Sequence, residues 1–154
     1  MTVLPDPESS IAYLLADSAR LLRRAFDARV RELGMTSPQA RLLLILARTE
    51  GENQGFYAER LEVEPISLAR MIDRMADAGL LERRPDPADR RAWRIHLTAQ
   101  ARDLVDAVRR TAGPLEDLLL TGLDPDQRAA LARSLQAVRT NLSAIRESGA
   151  NGHG

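Results

Sequence analysis

The sequence predicts a single, mainly α-helical domain with one small β-hairpin, and three observations predict it. Aromatic residues are only 3% of the 154 positions while Leu, Ala and Val are abundant, which suits interleaved helices better than a β-sandwich. Apolar residues recur at helical spacing through most of the chain. Only one stretch, residues 80–98, pairs two short β-forming runs across a proline-rich turn. With 44% hydrophobic residues, the chain can fill one core and has no surplus for a second.

Taken in order, residues 9–33 open on serines suited to an N-cap. They then place Ile11, Leu14, Leu15, Leu21, Leu22, Phe26, Val30 and Leu33 on one helical stripe that Gly34 stops. A second helix starts at Thr36 or Ser37 with Pro38 in its first turn, and is apolar almost all round from Leu42 to Ala47, so it should be central. After the polar turn EGENQG comes a short helix, FYAERL, then the connector EVEP. A further helix runs from Pro65, at a first-turn position, to Gly79, at a stop position. Short helix, tight turn and second helix form a helix-turn-helix. LLERR at 80–84 and AWRIHLT at 92–98 read as strands flanking the turn PDPADRR. A long helix follows Thr98, with Gly113-Pro114 expected to kink it, and a last helix carries Leu131, Leu135, Val138, Leu142 and Ile145 as one stripe. Residues 148–154 are expected to be a disordered tail. The helices at 9–33 and 98–147 have apolar stripes that a module as small as 36–98 cannot cover, so they are expected to pair with a second copy as a two-fold homodimer.

Several classes of function are excluded. With no cysteine, a disulfide scaffold, a thiolate metal site and a thiol switch have no ligand or nucleophile. The first ten residues lack a basic segment followed by an apolar core, and no apolar run approaches the roughly 20 residues that span a bilayer. A soluble cytoplasmic protein, at the nucleoid when bound to DNA, is the expectation. The two histidines are His96 on a strand and His153 in the tail. Asp86, Asp89 and His96 would make a poor metal site, because arginines crowd around those carboxylates. No nucleophile paired with a base, and no glycine-rich phosphate loop, is present. No catalysis, cofactor or metal is expected.

The 22 basic residues are all arginine, which we attribute to base composition, and 22 acidic residues cancel them. Only the distribution of charge could favour nucleic acid. On the Pro65 helix, Ile66, Ala69, Ile72 and Met75 are expected to face inward, leaving Ser67, Arg70 and Arg74 on an outer face. Such a face can enter a major groove, where arginine donates two hydrogen bonds to guanine and serine reaches a phosphate or a base edge. The alternative is a solvated surface on which Arg70 pairs with Asp73 or Asp77. The hairpin favours the first, because residues 83–102 hold six arginines and two acids, a positive segment able to reach phosphates and the minor groove.

The stretches LEVEPISLARMIDRMADAGLLERR at 61–84 and DPADRRAWRIHLT at 86–98 resemble the recognition helix and wing of the multiple-antibiotic-resistance regulator (MarR) family, within it the SlyA-like branch. The likeness implies a winged helix-turn-helix flanked by dimerisation helices. Arg70 would be the recognition-helix arginine, Arg91 the minor-groove arginine of the wing, Asp89 the carboxylate that holds it, and Arg90 a phosphate contact. It also implies a repressor that binds a pseudo-palindromic operator in double-stranded DNA and is released by a small aromatic or anionic effector. Tyr13, Arg20, Phe26, Met35 and Arg48 are the effector-binding candidates. The sequence departs from the family in two places: the turn LEVE lacks the usual glycine, so Glu62 must make the turn another way, and Tyr57 stands where leucine is usual. The rival reading is a helical protein-protein interaction module that keeps the winged fold without binding DNA.

Overall fold

The computed structural model describes the backbone of residues 7–150 and the side chains of residues 8–145. After a 3-10 turn at Pro7–Ser9 come α1 (Ile11–Arg31), α2 (Ser37–Arg48), α3 (Gln54–Leu61), α4 (Pro65–Asp77), β1 (Leu81–Pro85), β2 (Trp93–Leu97), α5 (Ala99–Leu119) and α6 (Pro125–Ala150). The fold class is the expected one, six helices with a two-stranded antiparallel wing. The chain forms two compact units, residues 1–115 and 116–154. α5 continues through Pro114, and the boundary falls on the next residue, where the missing proline N–H leaves the Arg110 carbonyl without a helical donor. α6 runs to Ala150, three residues into the segment read as tail; residues 151–154, with His153, lie outside those described.

The core of the first unit is centred on α2, whose Ala40, Leu42, Leu43 and Leu46 are buried as the all-round apolar pattern requires. Thr36 caps this helix with a reciprocal box, its hydroxyl accepting from the Gln39 N–H while the Gln39 side chain accepts from the Thr36 N–H. Tyr57 of α3 is fully buried among these leucines. Its hydroxyl donates to the Thr49 carbonyl (2.9 Å) and accepts from the Glu52 N–H (3.1 Å). A leucine would fill that space but leave both backbone groups without this partner.

Two loop residues set how α4 and the wing are held. Glu62 adopts the left-handed conformation (φ 55, ψ 45), with the Val63 N–H bonding the Ala58 carbonyl and the Glu62 N–H the Glu59 carbonyl. This is a Schellman closure built on glutamate instead of the usual glycine, at a cost of about 1–2 kcal/mol. The turn has the geometry the absent glycine would give. Gly51 (φ +83) donates to the Ile95 carbonyl (2.9 Å), and the Ile95 N–H donates back to the Glu52 carbonyl (3.0 Å), so the α2–α3 loop pairs with the outer edge of β2. A Cβ on Gly51 would stand 3.1 Å from His96 Cε1.

These positions predict opposite responses. Glu62→Gly should raise stability by up to about 1 kcal/mol, since relief of left-handed strain exceeds the added unfolded-chain entropy. Gly51→Ala should lower it by about 1–2 kcal/mol. Urea unfolding midpoints check both, and a destabilised Glu62→Gly would contradict the account of the turn.

Candidate nucleic-acid interface

α4 buries Leu68, Ile72 and Met75, with Met71 and Ala76 packed partly against the core. Spaced 4 and 3 residues apart, the three buried side chains define one stripe. Ser67, Arg70 and Arg74 lie opposite it and are exposed. The expected inward set was partly wrong. Ile66 is 69% exposed, Ala69 is half-buried, and Leu68 takes the inward place. Val63 leaves the left-handed turn already packed against the core, so the stripe starts from Val63 and Leu68, and Ile66 is turned outward.

The wing pairs Leu81 with Leu97, Arg83 with Ile95 and Pro85 with Trp93. Leu81, Ile95 and Leu97 are buried and seat the hairpin on the core. Pro85 ends β1 where its missing donor costs no ladder bond inside a sheet. Thr98 closes the wing and starts α5: its N–H donates to the Leu80 carbonyl (3.1 Å), and its hydroxyl donates to the Gly79 carbonyl (2.7 Å) and accepts from the Ala101 N–H (3.2 Å).

The wing turn is organised by two aspartates. Asp86 accepts from the Ala88 N–H (2.8 Å) and pairs with the Arg94 guanidinium at 3.1 Å. The Ala88 N–H first and Arg94 second hold its carboxyl below the usual range. Asp89 accepts from the backbone N–H of Arg91 (2.9 Å) and its carbonyl accepts from the Ala92 N–H (3.1 Å). Asp89 therefore fixes Arg91 through the main chain, leaving the guanidinium to project. The carboxylates of Asp86 and Asp89 accept from backbone N–H groups of the turn, and His96 lies against Glu50, so the three side chains do not converge on one cation site.

Ion pairing divides the arginines between Pro65 and Arg102 into two groups. Arg83 pairs with Asp73, Arg84 with Glu82, Arg94 with Asp86 and Arg102 with Glu50. Arg70, Arg74, Arg90 and Arg91 are exposed and carry no ion pair with a described residue. Asp73, the carboxylate that could have neutralised Arg70, is taken by Arg83, which also ties the middle of β1 to α4.

Sequence reasoning missed Glu50. Its carboxylate accepts from the Leu97 N–H (2.7 Å) and from Arg102 (2.9 Å), and lies 3.6 Å from His96 Nδ1. Burial raises its pKa, but the Arg102 and Leu97 hydrogen bonds and the charges of Arg102 and His96 outweigh that, and the carboxyl lies below its ordinary value. Nothing local marks this residue, because Leu97 is 47 positions away. Asp86 did have a local signal, an Asp-Pro turn followed by arginines.

The five effector candidates are spread out. Tyr13 is exposed on α1, Arg20 is held by Asp17 at 2.6 Å, Phe26 packs partly against the core, Met35 is inside it, and Arg48 is exposed in the last turn of α2. Tyr13 and Phe26 stand about 20 Å apart along α1, too far to line one small-molecule cavity within a single chain. A cavity of about 270 Å³ does lie between α2, β2 and α5, with Ala47, Leu97 and Val105 as apolar floor and Arg102, Asp106 and Arg109 at its rim.

The family model described as the MarR family matches residues 35–93. Among solved structures, transcriptional regulator PA3341 is 32% identical, with TM-score 0.77 over 88% of this chain and 99% of that one. A MarR transcriptional regulator from Methanosarcina mazei Go1 is 26% identical, with TM-score 0.78 over 88% and 97%. BpsR from Bordetella bronchiseptica, 21% identical with TM-score 0.74 over 89% and 98%, shares the fold.

The depressed pKa of Glu50 predicts a pH effect. A carboxylate whose folded pKa lies below its unfolded value of about 4.3 stabilises the fold above that pH, and the contribution fades as pH falls through the folded value. Wild type should therefore exceed Glu50→Gln in stability at pH 7 and converge with it towards pH 3. Denaturant midpoints across that range check it; a constant gap would refute the assignment.

Proposed function

The chain belongs to the MarR family of transcriptional regulators, and from that premise we propose that it is a homodimeric repressor that occludes an inverted-repeat operator. The division of the arginines carries this reading. Four cations left without carboxylates, two on the exposed face of α4 and two on the wing tip, are placed to meet phosphates and base edges. Arg70 on α4 reads guanine in the major groove, with Ser67 and Arg74 beside it on the backbone or base edges. Arg91 enters the adjacent minor groove with Arg90 on a phosphate, and Asp89 holds the Arg91 backbone.

The homodimer rests on unpartnered apolar surface. Leu14 and Leu21 of α1, Leu118 and Leu119 of α5, and Leu135, Leu142 and Ile145 of α6 are exposed. A two-fold dimer covers them and sets two recognition helices about one DNA turn apart, which requires a palindromic site.

DNA binding by BpsR is regulated by 6-hydroxynicotinic acid, and for this chain we propose a small aromatic or anionic effector as well. The cavity between α2, β2 and α5 offers an apolar floor; Arg102 at its rim is held by Glu50, while Arg109 is only loosely paired with Asp106 at 3.7 Å, so Arg109 is the cation placed to meet a carboxylate on a small ring. An effector acts only by binding the DNA-incompetent state more tightly. Tyr13, Arg20, Phe26 and Arg48 remain candidates where two chains together line a site. Met35, inside the core, is better assigned to packing.

Selection of bound fragments from genomic DNA should yield an inverted repeat. On it, Arg70→Ala should cost about 1–3 kcal/mol and relax base preference, while Arg91→Ala should weaken all sequences and reduce the salt slope by about one per half-site. Equal retardation of wild type and the Arg70→Ala/Arg91→Ala double variant would overturn the roles given to these arginines, and recovery of no fragment by wild type would favour the protein-interaction module. For the effector, thermal shift against a panel of aromatic acids should find one that stabilises the protein and releases the operator, with Arg109→Ala losing the response. A panel with no stabilising member would remove this effector class.

A further inference from the structure

Ile66 is the one large apolar side chain of α4 left exposed, at 69%. It sits at the second position of the helix, after Pro65 and before Ser67, and precedes Arg70 by four residues, so the two side chains are neighbours on one face. The Asp73 carboxylate beyond them is held by Arg83, so this flank offers Ile66 no apolar cover. Isoleucine gains nothing here as a helix former, since β-branching lowers its propensity. A single exposed apolar residue is ordinary on a protein surface; what distinguishes this one is that it occupies the first turn of the groove-facing helix, the turn whose residues meet base edges.

The major-groove edge of the bases carries one apolar group, the C5-methyl of thymine. We propose that Ile66 is a specificity-determining residue that packs on a thymine methyl next to the guanine read by Arg70. The inference rests on α4 entering the major groove. Four residues span about 6 Å along the helix and successive bases about 3.4 Å along the duplex, so the thymine lies within about two base pairs of that guanine.

The test uses the full-length protein and the operator selected by wild type. Each thymine of a half-site is replaced by deoxyuridine, which removes the methyl and keeps the pairing. At one thymine within two base pairs of the Arg70-dependent guanine, the swap should weaken wild type about fourfold, and the same swap in both half-sites about sixteenfold. Ile66→Ala should bind the unmodified operator more weakly by a similar factor and be indifferent to the swap, while Ile66→Leu stays sensitive. If wild type tolerates deoxyuridine at every thymine, or Ile66→Ala keeps the penalty at the same one, the Ile66 assignment is overturned while loss of binding in Arg70→Ala leaves the DNA reading standing. Recovery of no fragment by wild type overturns both together.

Discussion

The position of the wing depends on one carboxylate. Glu50, at the end of the α2 segment, accepts from the backbone of β2 at Leu97 and from Arg102 in the first turn of α5. Next to it the loop exchanges two backbone hydrogen bonds with Ile95, and on the far side Thr98 bonds the backbone at Gly79 and Leu80, where α4 ends. The hairpin is thus fastened along its base to α2, α4 and α5. A two-stranded ribbon has little stability alone. Here it becomes a rigid extension of the helical core, and the proposed minor-groove contact at its tip keeps a fixed relation to the α4 face.

Net charge is a poor guide to such a surface. The 22 acids and 22 arginines cancel over the chain, but the carboxylates are not spread evenly among the arginines of α4 and the wing. Asp73, Glu82, Asp86 and Glu50 neutralise arginines on the two wing strands and in the first turn of α5. Those pairs are mostly solvated and add modest stability each. Their larger effect is on placement: cations that shape the wing are committed within the protein, and those facing outward are left without a carboxylate.

Local rules made most of the fold legible. Caps, proline positions and apolar period placed α1 to α4, and the Pro-rich turn between two short runs placed the wing. What failed was the inward set of α4, because the phase of a helix is fixed by the residue from which the chain enters it. Val63, packed after a left-handed Glu62, set that phase, and an isoleucine that pattern reading assigns to the core stands in solvent. In the candidate interface, the outward placement of Ser67, Arg70, Arg90 and Arg91 was readable from the pattern, while the arginines' freedom from carboxylates was not. That depends on pairings such as Arg83 with Asp73, 10 positions apart, and Arg102 with Glu50, 52 apart, which sequence spacing does not disclose. The effector candidates are the least legible part, since a residue such as Met35 looks the same in a sequence whether it lines a pocket or fills a core.

From Glu116 onward no described residue is buried. The helix start in this unit is well made, with Asp124 and Gln127 capping each other at 2.9 Å and Arg128 bonding the Leu123 and Leu120 carbonyls. Good caps stabilise the ends of a helix but do not replace a core, because most helical stability in proteins comes from packing an apolar face. α6 has such a face in Leu131, Leu135, Leu142 and Ile145, all exposed. Covering a leucine or isoleucine contributes about 1.5–3 kcal/mol, so this stripe repeated on two chains amounts to a substantial part of a small protein's stability. In the proposed homodimer, the absence of a core among the described residues of the second unit and the two-fold operator would have one cause. A chain that completes its fold against its own copy must present its recognition surface twice, related by the same axis.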